Sequence, residues 1–236
     1  MRRQKRTRAF KCLARHLTMG LLLASLLCLN LTGAQAATTE QFLQETQTMR
    51  LENKVMRLVW WIPNEFWSKS AEGNGKSADG TKQILATVDN YVVLAVSRSE
   101  LGPMGGLTNT PRGGLEKMLR VELTDGKTLT PLADKDLSPD MRNFLGMTKP
   151  MFANMLGTFG QGLELVAFPG KNEAGQRVVD PRNPGKFTVF VGADQFNWRL
   201  PLGSLMPDKV DPATKEVFLG SYIFNPYTGD RLVVKE

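Results

Sequence analysis

The chain has 236 residues but only two cysteines and one histidine. Cys12, His16 and Cys28 all lie near the N-terminus. Beyond them there is no imidazole and no thiol, which removes most familiar catalytic machinery. Serine–histidine and cysteine–histidine pairs need an imidazole base. Zinc sites need imidazole or thiolate in nearly every case. Copper, haem and iron–sulfur sites usually draw on the same ligands. Two sequence motifs are also missing: Ser-x-x-Lys and Gly-x-Ser-x-Gly. Gly75-Lys76-Ser77 and Gly126-Lys127-Thr128 match only the end of a phosphate loop, with Ser70 and Val121 where its first glycine belongs. These absences lean away from an enzyme, and no cofactor or metal is expected.

The N-terminus reads as a bacterial-type export signal. Arg2, Arg3, Lys5, Arg6, Arg8, Lys11 and Arg15 form a basic segment, and Leu17 to Leu31 carries no charge. Ala34-Gln35-Ala36 then offers small residues where a signal peptidase inspects the chain. A cleavable signal peptide over 1–36 is therefore expected. Its apolar run is short for a membrane span of ~20 residues. The bulky Leu27 before Cys28 argues against a lipoprotein. Cleavage would leave no cysteine and no histidine.

Cleavage also removes the excess of positive charge. The leader holds seven of the 30 lysines and arginines and none of the 23 acidic residues, leaving 23 against 23. Without a basic surplus, a nucleic-acid partner is not expected. A periplasmic or secreted protein with no stable membrane span follows. Its stability must rest on packing, for which about 200 residues suffice, burying roughly 70% of the unfolded surface.

Residues 38–50 predict a polar helix, with Phe42 and Met49 on one face. Val55 to Ile62 is β-branched and aromatic and predicts a strand stopped by Pro63. Residues 64–68 predict one helical turn, 72–80 a loop and 81–88 a short helix. Tyr91 to Val96 is apolar on both alternating faces, as in a strand covered on both sides. Residues 102–114 predict a second loop. Leu119, Val121 and Leu123 begin a hairpin. A three-residue loop, Thr124-Asp125-Gly126, pairs Val121 with Leu129 and puts Gly126 in the left-handed region.

Ser138-Pro139-Asp140 predicts a capped helix start, running to about Leu145, with a second helix over 148–156. Strands are expected over 163–168, 187–191, 196–200 and 217–224, with a closing edge at 232–234. Tyr227-Thr228-Gly229-Asp230 reads as an ordinary turn with no functional weight, and no repeat is evident. The sum is a single domain over 37–236, mainly β (β-rich α+β): an antiparallel sandwich or partly open barrel with two or three short helices.

Few residues suggest a site. Asp134, Asp136 and Asp140 cluster, but Pro139 and Leu145 stand where a calcium loop needs glycine and glutamate. Asp89, Glu164, Asp180 and Asp194 are scattered. Met141, Met147, Met151 and Met155 recur at near-helical spacing and are read as core filling. Trp60, Trp61, Trp67 and Trp198 are the candidate ligand-binding residues, since an exposed indole can stack on a sugar or a partner. Burial of both strand tryptophans is the commoner arrangement. The function expected is a non-enzymatic binding or interaction module of the cell envelope, partnered by an envelope protein or a cell-envelope glycan. The alternative is a carboxylate-based glycan-active enzyme or glycan-binding protein.

Overall fold

A computed structural model describes residues 33–73 and 78–235. The expected leader lies outside the described residues except for 33–36. The chain divides into two compact units, residues 1–40 and 41–236. The described part of the first is the opening of helix α1 (Gly33–Thr46).

Helix α1 stops at Thr46, whose hydroxyl turns back onto the Phe42 carbonyl at 2.9 Å. Strand β1 (Gln47–Glu52) follows where the sequence predicts helix to residue 50. The strand forms because Asn53 and Lys54 both adopt positive φ, 51° and 62°, in a two-residue turn that pairs Glu52 with Val55. Such a turn matches the twist of a hairpin, and the ladder to β2 (Val55–Trp61) overrides weak helical preference. Helices α2 (Asn64–Gly73) and α3 (Ala78–Val88) come next. The first extends well past the single turn expected.

Strand β3 (Tyr91–Leu101) is central. It pairs with β2 on one edge, and on the other with β4 (Leu107–Asn109) and β7 (Glu164–Pro169), all antiparallel. A second sheet runs in the order β6 (Thr128–Leu129), β5 (Leu119–Leu123), β8 (Gly185–Val191), β9 (Asp194–Leu200). The β5–β6 hairpin pairs Val121 with Leu129 and holds Gly126 at φ 81°, the three-residue loop expected. Helix α4 (Arg112–Met118) replaces the end of the predicted loop over 102–114, aided by an Arg112–Glu116 ion pair one turn apart.

Helix α5 (Pro139–Met155) begins as read, with the Ser138 hydroxyl accepting from the Met141 N–H at 3.1 Å. It runs as one helix through Pro150 instead of breaking into two. A third, small sheet comprises β10 (Lys209–Val210), β11 (Val217–Phe218) and β12 (Val233–Val234). Strand β11 is only the start of the strand expected over 217–224.

Alternation along β2 and β3 builds two cores. Val59, Trp61, Val92, Leu94 and Val96 face the second sheet, meeting Val121, Phe187, Val189, Phe196 and Trp198. Leu58, Trp60, Ile62, Val93 and Ala95 face the helices, meeting Val88, Met141, Leu145 and Phe152. The result is a β-rich α+β fold in which the first sheet is buried on both faces. Among the described residues no helix is long and apolar enough to cross a membrane.

Of the four methionines expected in the core, three lie outside it. Only Met141 is core; Met147, Met151 and Met155 are exposed. The buried stripe of α5 runs through residues 141, 145, 148 and 152. At 3.6 residues per turn the other three methionines fall beside that stripe, not on it.

Candidate functional site

The tryptophans come first because the sequence singles them out. Trp60, Trp61 and Trp198 are buried in the two cores. Trp60 meets Phe152 edge-on at 4.7 Å, Trp61 meets Phe187 at 4.8 Å, and Phe187 stacks on Trp198 at 5.1 Å. The Trp198 indole N–H donates to the Glu45 carbonyl at 3.0 Å. These rings offer no open face for stacking. Trp67 is half-buried between Phe66 and Phe144. Asp134 pairs with Arg112 at 2.8 Å. Among the described residues no cluster of His, Cys, Asp or Glu could hold a metal ion.

Two other places carry more chemistry. The first is a charged cluster at the start of α2. Glu65 lies in the first turn, where the helix dipole favours a carboxylate. It is only 8% exposed. Its Oε1 accepts from Arg177 Nη1 at 3.0 Å and lies 3.5 Å from Arg182 Nε. Arg177 also donates from Nε to Asp89 at 2.7 Å, and Lys171 pairs with Asp89 at 2.8 Å. Burial pushes the Asp89 carboxyl up, but Lys171 and Arg177 outweigh it and hold it below the usual aspartate range. Burial likewise works against the Arg177 charge, and Asp89 and Glu65 overcome it. Beside this cluster opens a cleft of about 450 Å³, whose far wall is Ser204 to Pro207. Gly203, just before that wall, admits no Cβ: one would lie 2.4 Å from Ser221 Oγ and 2.9 Å from Glu45 Oε1. Glu45 fixes this wall by accepting from the Gly203 and Ser204 N–H groups at 2.7 and 2.9 Å.

The second place is the C-terminal arm, residues 208–235, where the structure reveals a short repeat. Asp211-Pro212-Ala213-Thr214-Lys215-Glu216 and Asn225-Pro226-Tyr227-Thr228-Gly229-Asp230 fold alike. Asp211 Oδ1 accepts from the Ala213 and Thr214 N–H groups; Asn225 Oδ1 accepts from those of Tyr227 and Thr228. Each threonine hydroxyl then accepts from the acidic residue's N–H, both at 3.3 Å. Lys215 and Gly229 occupy the left-handed region at φ 64° and 80°. The second turn is thus more than the isolated one expected. The signal was present as Asx-Pro-x-Thr recurring fourteen residues on, too short a unit to register as a repeat.

The arm carries an unusual surface. Val217, Tyr222, Ile223, Phe224, Tyr227, Val233 and Val234 are all exposed, and Tyr227 is 81% exposed at the tip of the second turn. The outer strands of the small sheet, β11 and β12, are each two residues long.

Comparison with known proteins adds no assignment: no protein-family model, no characterised protein and no solved structure matches the chain.

Proposed function

We propose that this chain is an exported, non-enzymatic module of the cell envelope that docks a partner protein through its C-terminal arm. The observation that carries the reading is the run of seven large apolar side chains exposed along residues 217–234. Exposed apolar residues scattered singly need no explanation, whereas we read seven within eighteen residues of chain as an interaction surface. Tyr227 fits the part of an anchor, because tyrosine brings large contact area with little side-chain entropy to lose. The hydrogen-bonded turn beneath it holds that anchor in place before binding.

The glycan reading draws less support. The stacking it needs finds no open ring on Trp60, Trp61 or Trp198. Glu65 and Asp89 are both tied to Arg177.

Site-specific photo-cross-linking in cells tests the proposal. A photoreactive residue at position 227 should give one dominant protein adduct, and the same residue at 197, on the outer face of β9, should not. Equal adducts from both positions, or adducts from neither, would overturn it. Mass spectrometry of envelope-recovered protein should place the new N-terminus at Ala37.

A further inference from the structure

Strand β1 ends the first sheet, and among the described residues no strand or backbone hydrogen bond meets it on the side away from β2. The turn fixes which of its groups are open. Glu52 and Val55 close a two-residue hairpin loop, so they exchange backbone bonds, and antiparallel alternation passes that pattern to Arg50 and Thr48. Gln47, Met49 and Leu51 therefore aim their N–H and C=O groups outward. The same parity turns the even residues of β2 toward β3, and the Ile62 N–H accordingly donates to the Val93 carbonyl at 2.9 Å.

The other edges of the two large sheets are blunted. Strands β4 and β6 are three and two residues long. The outer side of β7 is met by the Leu132 N–H, which donates to the Ala167 carbonyl at 2.8 Å. Strand β9 exposes Gln195, Asn197 and Arg199, and polar or charged residues along an edge discourage pairing. By contrast, β1 carries Met49 and Leu51 opposite Leu58 and Met56, and they are 59% and 62% exposed. On the opposite face Arg50 stands across from Arg57, and like charges so placed repel. Arg57 is answered by Asp194, whereas Arg50 lies over the Phe196 ring at 4.6 Å and pairs with no carboxylate among the described residues.

We propose that β1 takes up an extended peptide as an added antiparallel strand, one that carries an acidic residue between two apolar ones. Main-chain bonds to Gln47, Met49 and Leu51 hold the segment. Its apolar pair packs beside Met49 and Leu51, and its carboxylate stands opposite Arg50. A second copy of β1 fits worse. Pairing Glu52 with Arg50 of another copy sets Met49 against Asn53, which has left the strand at φ 51°. Pairing centred on Arg50 opposes two guanidinium groups. The proposal concerns residues 47–51 and does not rest on docking by the arm.

Fluorescence anisotropy of the purified chain with a labelled nine-residue peptide tests this. The peptide has Val-Glu-Val at its centre and serine and threonine elsewhere. Three controls replace the centre by Val-Lys-Val, by Ser-Glu-Ser, or by Val-Glu-Val with both valine nitrogens methylated. The Val-Glu-Val peptide should bind saturably and at least about fivefold tighter than each control. Arg50→Glu should reverse the preference toward Val-Lys-Val. Leu51→Pro should abolish binding and leave β1 on β2, because the lost N–H points outward and edge strands tolerate proline there. If Leu51→Pro fails to fold, the charge reversal at position 50 still decides. Absence of saturable binding, equal binding of the Val-Lys-Val or methylated peptide, or a dimer in solution that Leu51→Pro disperses would each overturn the proposal.

Discussion

Asp211 Oδ2 accepts from Asn225 Nδ2 at 2.6 Å, a buried hydrogen bond that joins the two like turns of the C-terminal arm. Each of these side chains also organises its own turn, Asp211 through Oδ1 and Asn225 through its amide oxygen. The pair therefore links two local structures that have little core of their own; of the arm's apolar residues, Leu232 is buried. Asn225→Asp would set a second carboxylate against the first. Two carboxylates that close cannot both ionise without raising one pKa strongly. Hydrogen exchange should show protection lost across residues 211–235 at neutral pH and kept in β3. Protection should partly return in acid, where the pair can share a proton. Unchanged protection at neutral pH would refute the coupling.

The left-handed positions of the two turns give a prediction with opposite signs. Lys215 adopts φ 64° with a side chain that disfavours it, and Gly229 adopts φ 80° freely. The left-handed conformation costs a non-glycine residue roughly 1–2 kcal/mol. Gly229→Ala should destabilise the arm by about 1 kcal/mol. Lys215→Gly should stabilise it by a smaller amount, because glycine gains freedom in the unfolded chain. Neither change meets a steric barrier of another kind, since a Cβ at Gly229 would have nothing within 4 Å. Urea denaturation followed by the exchange of arm amides would read both signs.

What was legible in the sequence and what was not divides along the range of the interactions. The Ser138 cap, the Val121–Leu129 register and the doubly covered Tyr91–Val96 segment depend on neighbours within a few residues or on unbroken apolar pattern. Strand β1 depends on a partner strand and on Asn53-Lys54, a turn without glycine. The charged cluster joins Glu65 to Arg177 across 112 residues. No local pattern marks such a pair. Near-helical spacing of the methionines does not say which face of α5 is buried. The tryptophans drew attention by their size, and size is also what places them in a core.

The acid side of the stability curve follows from two lowered carboxyls. Asp89 is held down by Lys171 and Arg177 against its own burial, and Asp211 by Asn225 and by the Thr214 and Ala213 N–H groups. A carboxyl whose folded pKa lies below its unfolded value of about 3.9 adds stability that is complete above that value. The contribution is lost as pH falls through the folded pKa. Urea midpoints should therefore be flat from neutrality to about pH 5 and fall below about pH 4. Asp89→Asn should flatten that fall in part. An unaltered acid limb in Asp89→Asn would remove Asp89 from the account.

Removing Arg177 should be the most damaging single change in the charged cluster. Its guanidinium bridges Glu65 and Asp89, and Glu65 has little access to water that could replace the lost partner. Breaking a fully buried pair costs about 3–5 kcal/mol because the remaining charge is stranded. Arg177 and Asp89 keep about a quarter of their side-chain surface in solvent, 28% and 26%, so screening reduces the expectation to about 2 kcal/mol. Arg177→Lys should recover only part of this, since an ammonium cannot reach both carboxylates with a planar fork. Glu65→Gln in the Arg177→Met background should restore more than Arg177→Lys does, because it removes the stranded charge instead of answering it with a poorer partner. If the double variant is no more stable than Arg177→Met alone, Glu65 is solvated through the cleft and the bridge is not what holds α2 to the segment around residue 177.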